Sequence, residues 1–184
     1  MRITGGDWRG RTLRPPKSEA PRPTQDRVRE ALFNLLQPAL PGARFLDLYA
    51  GSGAVGLEAL SRGAATADFI ERDRKVFETL RQNLAAFGVP PDRARLADAD
   101  AWLRGAIPPN GPWDIVFADP PYRHAEDLGP EQIAAALVAR GALVPGGYLV
   151  LETDFRTDAL PIPGFTLLRD REYGKTRLAI HRLT

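Results

Sequence analysis

The chain has 184 residues, of which 43% are hydrophobic, enough for one globular domain with a sizeable core, and its formal net charge is only +2. It contains no cysteine and two histidines, which excludes disulfides, thiolate zinc sites and a cysteine nucleophile and leaves too few ligands for a convincing metal cluster. No segment is long and apolar enough to span a membrane, and the first residues lack the apolar core of a signal peptide. We therefore expect a cytoplasmic protein whose chemistry depends on carboxylates, backbone groups and a bound cofactor, without a metal.

The charge is distributed unevenly along the chain. Residues 1–22 carry a net charge of +4 and residues 169–184 a net charge of +3, which leaves −5 for residues 23–168. Basic ends around an acidic middle suit a polyanion bound by the ends and a cationic or neutral ligand bound in the middle. Solvated termini explain the same asymmetry equally well.

The first predicted element is a hairpin over residues 2–14, with three glycines at turns or bulges, followed by a proline-rich connector that ends at Pro23. Thr24 is a suitable cap for the next element, a helix whose apolar residues recur at helical spacing until Pro38. We assign residues 1–23 to a basic hairpin and connector and residues 24–184 to one larger domain.

From residue 43 onward, short apolar runs alternate with segments of helical spacing. The predicted buried strands are Arg44–Tyr49, Ala67–Ile70, Arg93–Ala97, Ile115–Ala118 and Tyr148–Glu152. The predicted helices are 54–62, 74–87, 99–104 and 131–140, and a closing hairpin joins Phe165–Arg171 to Thr176–Arg182. This alternation predicts an α/β fold with a doubly wound, mostly parallel, seven-stranded sheet and an N-terminal β-hairpin extension.

Four acidic residues stand at or near the ends of successive predicted strands. They are Asp47, Glu71, Asp98 and Asp119, separated by 24, 27 and 21 residues, each about one strand–helix unit. A single loop carboxylate is more often a helix cap or a solvated turn. Because an open parallel sheet binds its ligand at the carboxyl ends of its strands, we expect all four to converge on one cleft.

The turn after the first strand contains glycines at positions 51, 53 and 56, which match the Gly-x-Gly-x-x-Gly fingerprint. With Glu71 placed to accept from ribose hydroxyls, a nicotinamide dehydrogenase is one interpretation. Asp47 argues against it, because a carboxylate beside this turn repels a pyrophosphate but suits the ammonium and sulfonium of S-adenosylmethionine. Asp98 would then bind the adenine amino group, and Ala99 would offer a backbone donor to the ring.

The segment Asp119-Pro120-Pro121-Tyr122 follows a mostly apolar strand and is typical of amino-group chemistry on a base. The ordinary explanation is that Asp-Pro and Pro-Pro are common in loops and turns and that a tyrosine packs in the core. In the catalytic interpretation, Asp119 and the Pro120 carbonyl accept the two hydrogens of an exocyclic amine, and the prolines stiffen the backbone. Tyr122 would stack on the base.

The chain also resembles the RsmD family of bacterial small-subunit ribosomal RNA guanine-N2 methyltransferases. The resemblance covers nearly the whole chain and is carried by Arg2–Arg11, Arg22–Asn34, Leu57–Ala64, Asp119–Tyr122 and Tyr173–Thr176. It implies a Rossmann-like class I methyltransferase that methylates one guanine, conventionally numbered 966, in 16S ribosomal RNA of the 30S subunit or an assembly intermediate. Tyr49 and Thr4 depart from the family pattern, where phenylalanine and an aliphatic residue are expected, and neither should alter the chemistry.

These interpretations select three groups of candidate residues. Asp119, Pro120 and Tyr122 are the catalytic group, with no metal ligands, and the cofactor is S-adenosyl-L-methionine, leaving S-adenosyl-L-homocysteine as product. The cofactor-binding group is Asp47, Tyr49, Gly51, Ser52, Gly53, Glu71, Arg72, Asp98 and Ala99. The RNA-binding group, on a protein expected to be a monomer, is Arg2, Arg9, Arg11, Arg14 and Lys175.

The roles of two further side chains, Trp8 and His124, remain open, as do three other functions. Trp8 is expected to pack the hairpin onto the domain, and His124 to lie exposed in a loop. A DNA or RNA adenine-N6 methyltransferase would use the same tetrapeptide, although a DNA enzyme normally needs a further recognition domain. A protein-glutamine methyltransferase would favour asparagine in place of Asp119, and a non-catalytic RNA-binding assembly protein would not need the four acids. Removal of residues 1–14 is expected to weaken RNA binding while sparing the cofactor.

Overall fold

The computed structural model describes residues 1–15, 26–105, 110–120, 128–157 and 161–184. The chain divides into two compact units, Met1–Asp98 and Ala99–Thr184. The predicted boundary at residue 23, the Thr24 cap, Pro121, Tyr122 and His124 lie outside the described residues. The division into residues 1–23 and 24–184 therefore stays a prediction.

The first unit alternates helices with parallel strands, as predicted. Strands β1 to β3 lie in the order β3-β2-β1 with parallel pairing. The strands are Arg44–Asp47 (β1), Thr66–Glu71 (β2) and Ala94–Leu96 (β3). The helices are Asp26–Leu36 (α1), Ala54–Ser61 (α2) and Arg74–Ala86 (α3), with short 3-10 turns at Gln37–Ala39 and Pro91–Arg93.

Local sequence explains where these helices begin and end. The α1 residues Val28, Leu32 and Leu36 are buried along one face, and the helix stops before Pro38. The Asp73 side chain caps α3 by accepting the backbone N–H groups of residues 75 and 76 at 2.8 and 2.9 Å. Each end therefore agrees with the sequence to within two residues.

Strand β3 differs from its prediction as a buried strand. None of its three residues is fully buried, and Leu96 is 43% exposed. Within the first unit β3 pairs with β2 alone. It is a short edge strand, and its apolar residues cannot be covered on both sides as those of a central strand are.

The second unit contains parallel and antiparallel strands in the order β4-β5-β7-β6. The strands are Trp113–Ala118 (β4), Leu143–Asp154 (β5), Phe165–Tyr173 (β6) and Thr176–Leu183 (β7). The helices are Ala99–Arg104 (α4) and Pro130–Ala139 (α5). Strands β4 and β5 are parallel, whereas β7 pairs antiparallel with both β5 and β6. The closing hairpin is confirmed, and the described residues contain the seven predicted strands.

The amino-terminal hairpin is confirmed as an antiparallel turn, in which Arg2 and Thr12 are bridge partners and backbone hydrogen bonds of 2.9–3.1 Å join residue 3 to residues 10 and 11 and residue 13 to residue 1. It is part of the first unit and not a loose arm, because Ile3 and Leu13 are 1% and 0% exposed. Its backbone approaches α2 so closely that a Cβ on Gly6 would lie 1.8 Å from the Ser61 carbonyl oxygen. The Asp7 N–H donates to that same oxygen at 2.8 Å. The hairpin thus contributes its own side chains to the core.

Candidate functional site

The glycine turn, residues 47–56, joins β1 to α2 and combines tight packing with one open position. Gly51 and Gly53 have φ angles of 56° and 83°, which residues with a Cβ rarely adopt. A Cβ on Gly53 would lie 2.6 Å from the Leu80 side chain, and one on Gly56 would lie 2.3 Å from the Phe69 ring. A Cβ on Gly51 would meet nothing within 4 Å. Gly53 and Gly56 are therefore needed for packing, and the backbone at Gly51 is open to a ligand.

Asp47 lies at the carboxyl end of β1 and is 1% exposed. Its Oδ2 accepts the Gly56 N–H at 3.1 Å, in the first turn of α2. A carboxylate beside a helix amino terminus is favourable because the first N–H groups of the helix lack intrahelical acceptors. Asp47 thus braces the turn, and its contact with a cofactor ammonium stays a prediction.

Glu71, at the end of β2, connects the glycine turn to the start of α3. Its Oε2 accepts the Gly51 N–H at 2.9 Å, and its Oε1 accepts the Asp73 N–H at 2.7 Å. Burial raises the pKa of this carboxyl above its ordinary value, although these N–H donors act in the opposite direction. The structure therefore brings together two predicted cofactor-binding residues, Gly51 and Glu71, at adjacent strand ends.

The other predicted cofactor-binding residues differ in exposure. Arg72 and Asp98 form an ion pair at 3.5 Å with side chains 47% and 45% exposed, so the pair adds little stability. Tyr49 is half-buried, and Ser52 is 6% exposed. Ala99 is buried at the start of α4, in the second unit. Their cofactor contacts stay predictions.

In the second unit, Asp119 and Pro120 follow directly after β4. The last four residues of that strand are buried, so the strand holds this end of the chain firmly. Asp119 is half-buried and Pro120 is buried. Sequence reasoning missed Asp100, whose Oδ2 accepts the Leu128 N–H at 2.8 Å. Asp100 thereby binds the backbone two residues before α5 begins.

The chain is similar to known proteins over nearly its whole length. The family model described as "Conserved hypothetical protein 95" matches residues 1–182. Ribosomal RNA small subunit methyltransferase D of Escherichia coli strain K12 is 39% identical over 183 residues, which is 99% of this chain and 89% of that protein. The chain belongs to this family, the RsmD family.

Solved structures share the fold of the RsmD family chain. The protein yhhF from Escherichia coli is 37% identical with a TM-score of 0.83, and the match covers 100% of this chain and 97% of that one. An RNA methyltransferase from Salinibacter ruber, solved with S-adenosyl-L-homocysteine, is 19% identical with a TM-score of 0.61 over 88% of this chain. The predicted Rossmann-like methyltransferase fold is confirmed.

The five basic residues predicted to bind RNA fall into two classes. Arg2, Arg9 and Lys175 are exposed, and their side chains make no hydrogen bond or ion pair to the part of the chain that the structure describes. Arg11 lies 4.0 Å from the Phe87 ring centroid and donates to the Ala86 carbonyl at 2.6 Å. Arg14 donates to the Gln82 side chain at 2.8 Å. The first class can meet a polyanion without first breaking a bond to any of the described residues.

Trp8 packs as predicted. Its ring lies 5.1 Å from that of Phe87, which follows α3, and the backbone N–H of Trp8 donates to the Ser61 hydroxyl at 2.9 Å. These contacts join the hairpin to α2 and α3. Trp8 is therefore a packing residue of the hairpin.

The buried ionic cluster, Arg29, Glu58 and Arg62, was not predicted from the sequence. Arg29 and Glu58 side chains are both 0% exposed and meet at 3.1 Å. Glu58 also binds Arg62 at 2.9 Å and accepts from the backbone N–H and hydroxyl of Thr4. Arg29 in turn donates to the Arg2 carbonyl. The cluster ties the hairpin to α1 and α2. One signal was available, because Glu58 is the single charged residue in α2.

Within the described ranges, no three or more acidic or histidine side chains are grouped so that they could hold a metal ion. None of the helices in those ranges is both long enough and apolar enough to cross a membrane.

Proposed function

We propose that the chain transfers a methyl group from S-adenosylmethionine to the exocyclic N2 amine of a guanine in 16S ribosomal RNA. The observation that carries the RNA substrate is the near-full-length relationship to Ribosomal RNA small subunit methyltransferase D. The residues at the strand ends are consistent with the cofactor, since the open backbone at Gly51 adjoins the Glu71 carboxylate.

The cofactor supplies an electrophilic methyl group on a sulfonium. Glu71, held by two backbone N–H groups, suits the two ribose hydroxyls, and the buried Asp47 carboxylate provides a negative potential for the ammonium and sulfonium. Gly51 lets the backbone approach the amino-acid portion closely. Asp98 and Ala99 are assigned to the adenine.

Alignment is the main task of the catalytic residues, because the guanine N2 lone pair is delocalised into the ring and the amine is a poor nucleophile. Asp119 and the Pro120 carbonyl accept the two N2 hydrogens and direct the lone pair at the methyl carbon. The N2–methyl bond forms as the sulfur–methyl bond breaks, and the N2 proton then passes to Asp119 or to solvent. Tyr122 stacks on the base.

The RNA is bound, in this proposal, by the basic hairpin and Lys175. Arg2 and Arg9 are exposed and have no competing partner in the described residues, so they suit phosphates. The proposal also names the target as position 966 and the substrate particle as the 30S subunit or its assembly intermediate. It further includes a monomeric enzyme in the cytoplasm.

One experiment tests reaction and substrate together. The protein is incubated with labelled S-adenosylmethionine and unmethylated 16S RNA, 30S particles or DNA, and the modified base is mapped. We expect label on one guanine N2 of the RNA or the particle. Label on adenine N6 would favour the adenine-N6 alternative, and cofactor binding without transfer to any substrate would favour a non-catalytic assembly protein.

A further inference from the structure

The side-chain amide of Asn83, on α3, lies between the amino-terminal hairpin and the glycine turn. Its Oδ1 accepts the Arg14 N–H at 2.9 Å, and its Nδ2 donates to the Arg14 carbonyl at 3.0 Å. The same Nδ2 donates to the Ser52 carbonyl at 2.8 Å. One side chain therefore connects a segment proposed to bind RNA with a turn proposed to bind the cofactor.

The hydrogen-bonding capacity of this amide is matched to its three partners. The nitrogen has two hydrogens and two carbonyl acceptors, and the oxygen has one N–H donor, so only one orientation of the amide satisfies all of them. Asn83 is 2% exposed, so water cannot replace a lost partner without rearrangement. Movement of the hairpin away from α3 would also disturb the bond to Ser52.

Packing around the bridge makes the glycine turn sensitive to α3. Ser52 lies between Gly51 and Gly53, and a Cβ on Gly53 would lie 2.6 Å from Leu80, one helical turn before Asn83. On the other side, Arg11 and Arg14 reach the carboxyl end of α3 through Ala86 and Gln82. Helix α3 therefore contacts both segments.

We propose that Asn83 is a positioning residue that couples RNA binding at the hairpin to cofactor binding at the glycine turn. The inference rests on the proposed function and adds a mutual dependence of its two ligands. Each ligand favours the docked arrangement in which the amide holds both segments, so each raises the affinity for the other by the same factor.

The test measures the affinity for unmethylated 16S RNA with and without saturating S-adenosyl-L-homocysteine, which binds without turnover. In the wild type we expect S-adenosyl-L-homocysteine to raise the affinity for RNA by at least about fivefold. Asn83→Asp keeps the shape but places an oxygen against two carbonyls, and should bring the ratio close to one. An unchanged ratio in Asn83→Asp, or a ratio of one in the wild type, overturns the inference.

Two matched variants separate coupling from charge. Gln82→Ala removes the neighbouring contact to the Arg14 side chain and should keep the wild-type ratio. Arg14→Ala should weaken RNA binding but also keep the ratio, because Asn83 binds only the backbone of residue 14. Loss of coupling in Gln82→Ala equal to that in Asn83→Asp would contradict the assignment to Asn83.

A measurement on the wild type avoids the risk that Asn83→Asp fails to fold. Addition of S-adenosyl-L-homocysteine should slow hydrogen exchange in the segment 12–14, because a more firmly held Ser52 carbonyl holds the amide against Arg14. Unchanged exchange in that segment overturns the coupling. If the wild type binds RNA and S-adenosyl-L-homocysteine without coupling, the proposed function stands and this inference fails. If the wild type does not bind S-adenosyl-L-homocysteine, both the proposed function and this inference fail.

Discussion

The Glu71 carboxylate accepts the Gly51 N–H at 2.9 Å across 20 residues of sequence. This bond fixes the end of β2 against the glycine turn, and the second Glu71 oxygen fixes the start of α3. A residue that we propose binds the ribose therefore also determines the shape of the turn. Substitution of Glu71 should change cofactor affinity through both effects.

Glu71 should leave a pH-dependent mark on stability. Burial raises the pKa of its carboxyl above the ordinary 4.5, so the folded state favours the protonated form. The stability of the wild type relative to Glu71→Gln is then greatest below pH 4.5 and declines as the pH rises through the raised pKa. Urea unfolding of both proteins over this range provides the measurement, and parallel pH curves would contradict it.

Asp119→Ala should lower kcat by at least about 10²-fold, because the amine loses an acceptor that aligns it. Isothermal titration should show unchanged affinity for S-adenosyl-L-homocysteine. Asp119→Asn, which keeps one acceptor oxygen, is the isosteric comparison, and its kcat should lie between those of the wild type and Asp119→Ala. Turnover by the alanine variant near the wild-type rate would remove Asp119 from the catalytic group.

Arg9→Ala and Arg11→Ala should have different consequences, although both remove one positive charge from the hairpin. Arg9 has no side-chain partner in the described residues, so its loss should flatten the salt dependence of RNA binding by a slope of about 0.7–0.9 and leave stability unchanged. Arg11 stacks on Phe87, so its loss should cost about 0.5–1 kcal/mol of unfolding free energy. Equal melting temperatures for both variants would refute the distinction.

Glu58→Gln should be strongly destabilising. The change removes the fully buried carboxylate partner of Arg29, which keeps its pair with the 45% exposed Asp26 side chain, and breaking a buried pair costs about 3–5 kcal/mol. Arg156→Ala is the control, since it breaks a surface pair whose arginine side chain is 75% exposed and should not change stability measurably. Denaturant unfolding compares the two, and similar midpoints would show that the cluster is not a stabilising contact.

Truncation of residues 1–14 is a poor test of RNA binding, although the sequence predicts that it affects RNA binding alone. Ile3 and Leu13 are buried, and Thr4 and the Arg2 carbonyl bind the ionic cluster. Removing this segment would expose apolar core residues and would leave the buried charges of the ionic cluster without some of their partners. The expectation that it spares the cofactor site does not fit these contacts, and point substitutions test RNA binding more cleanly.

Periodicity was sufficient to locate the elements. Helix α4 matches its predicted bounds, and α2, α3 and α5 agree to within one residue at each end. Strand β5 begins at Leu143 and not at Tyr148, because Pro145-Gly146-Gly147 has the composition of a turn but continues as strand. Regular spacing and apolar runs were thus more informative than turn residues.

Within the site, residues at strand ends could be predicted, whereas buried polar residues on helices could not. Glu71 follows from its spacing after the glycine turn. Arg29 and Asn83 look like solvated helix residues, because their burial depends on a hairpin that is distant in sequence. Asn83 did carry a weak signal, since it occupies the same helical stripe as Val76 and Leu80, which are buried.

The partners of the amino-terminal hairpin have a consequence for synthesis of the chain. Thr4 binds residue 58, Arg14 binds residue 83 and Arg11 binds residue 86. Residues 1–15 leave the ribosome before these partners do, so their complete docking surface exists only after residue 86 has been made. A nascent chain therefore carries its basic segment undocked until β1, β2, α2 and α3 have all been translated.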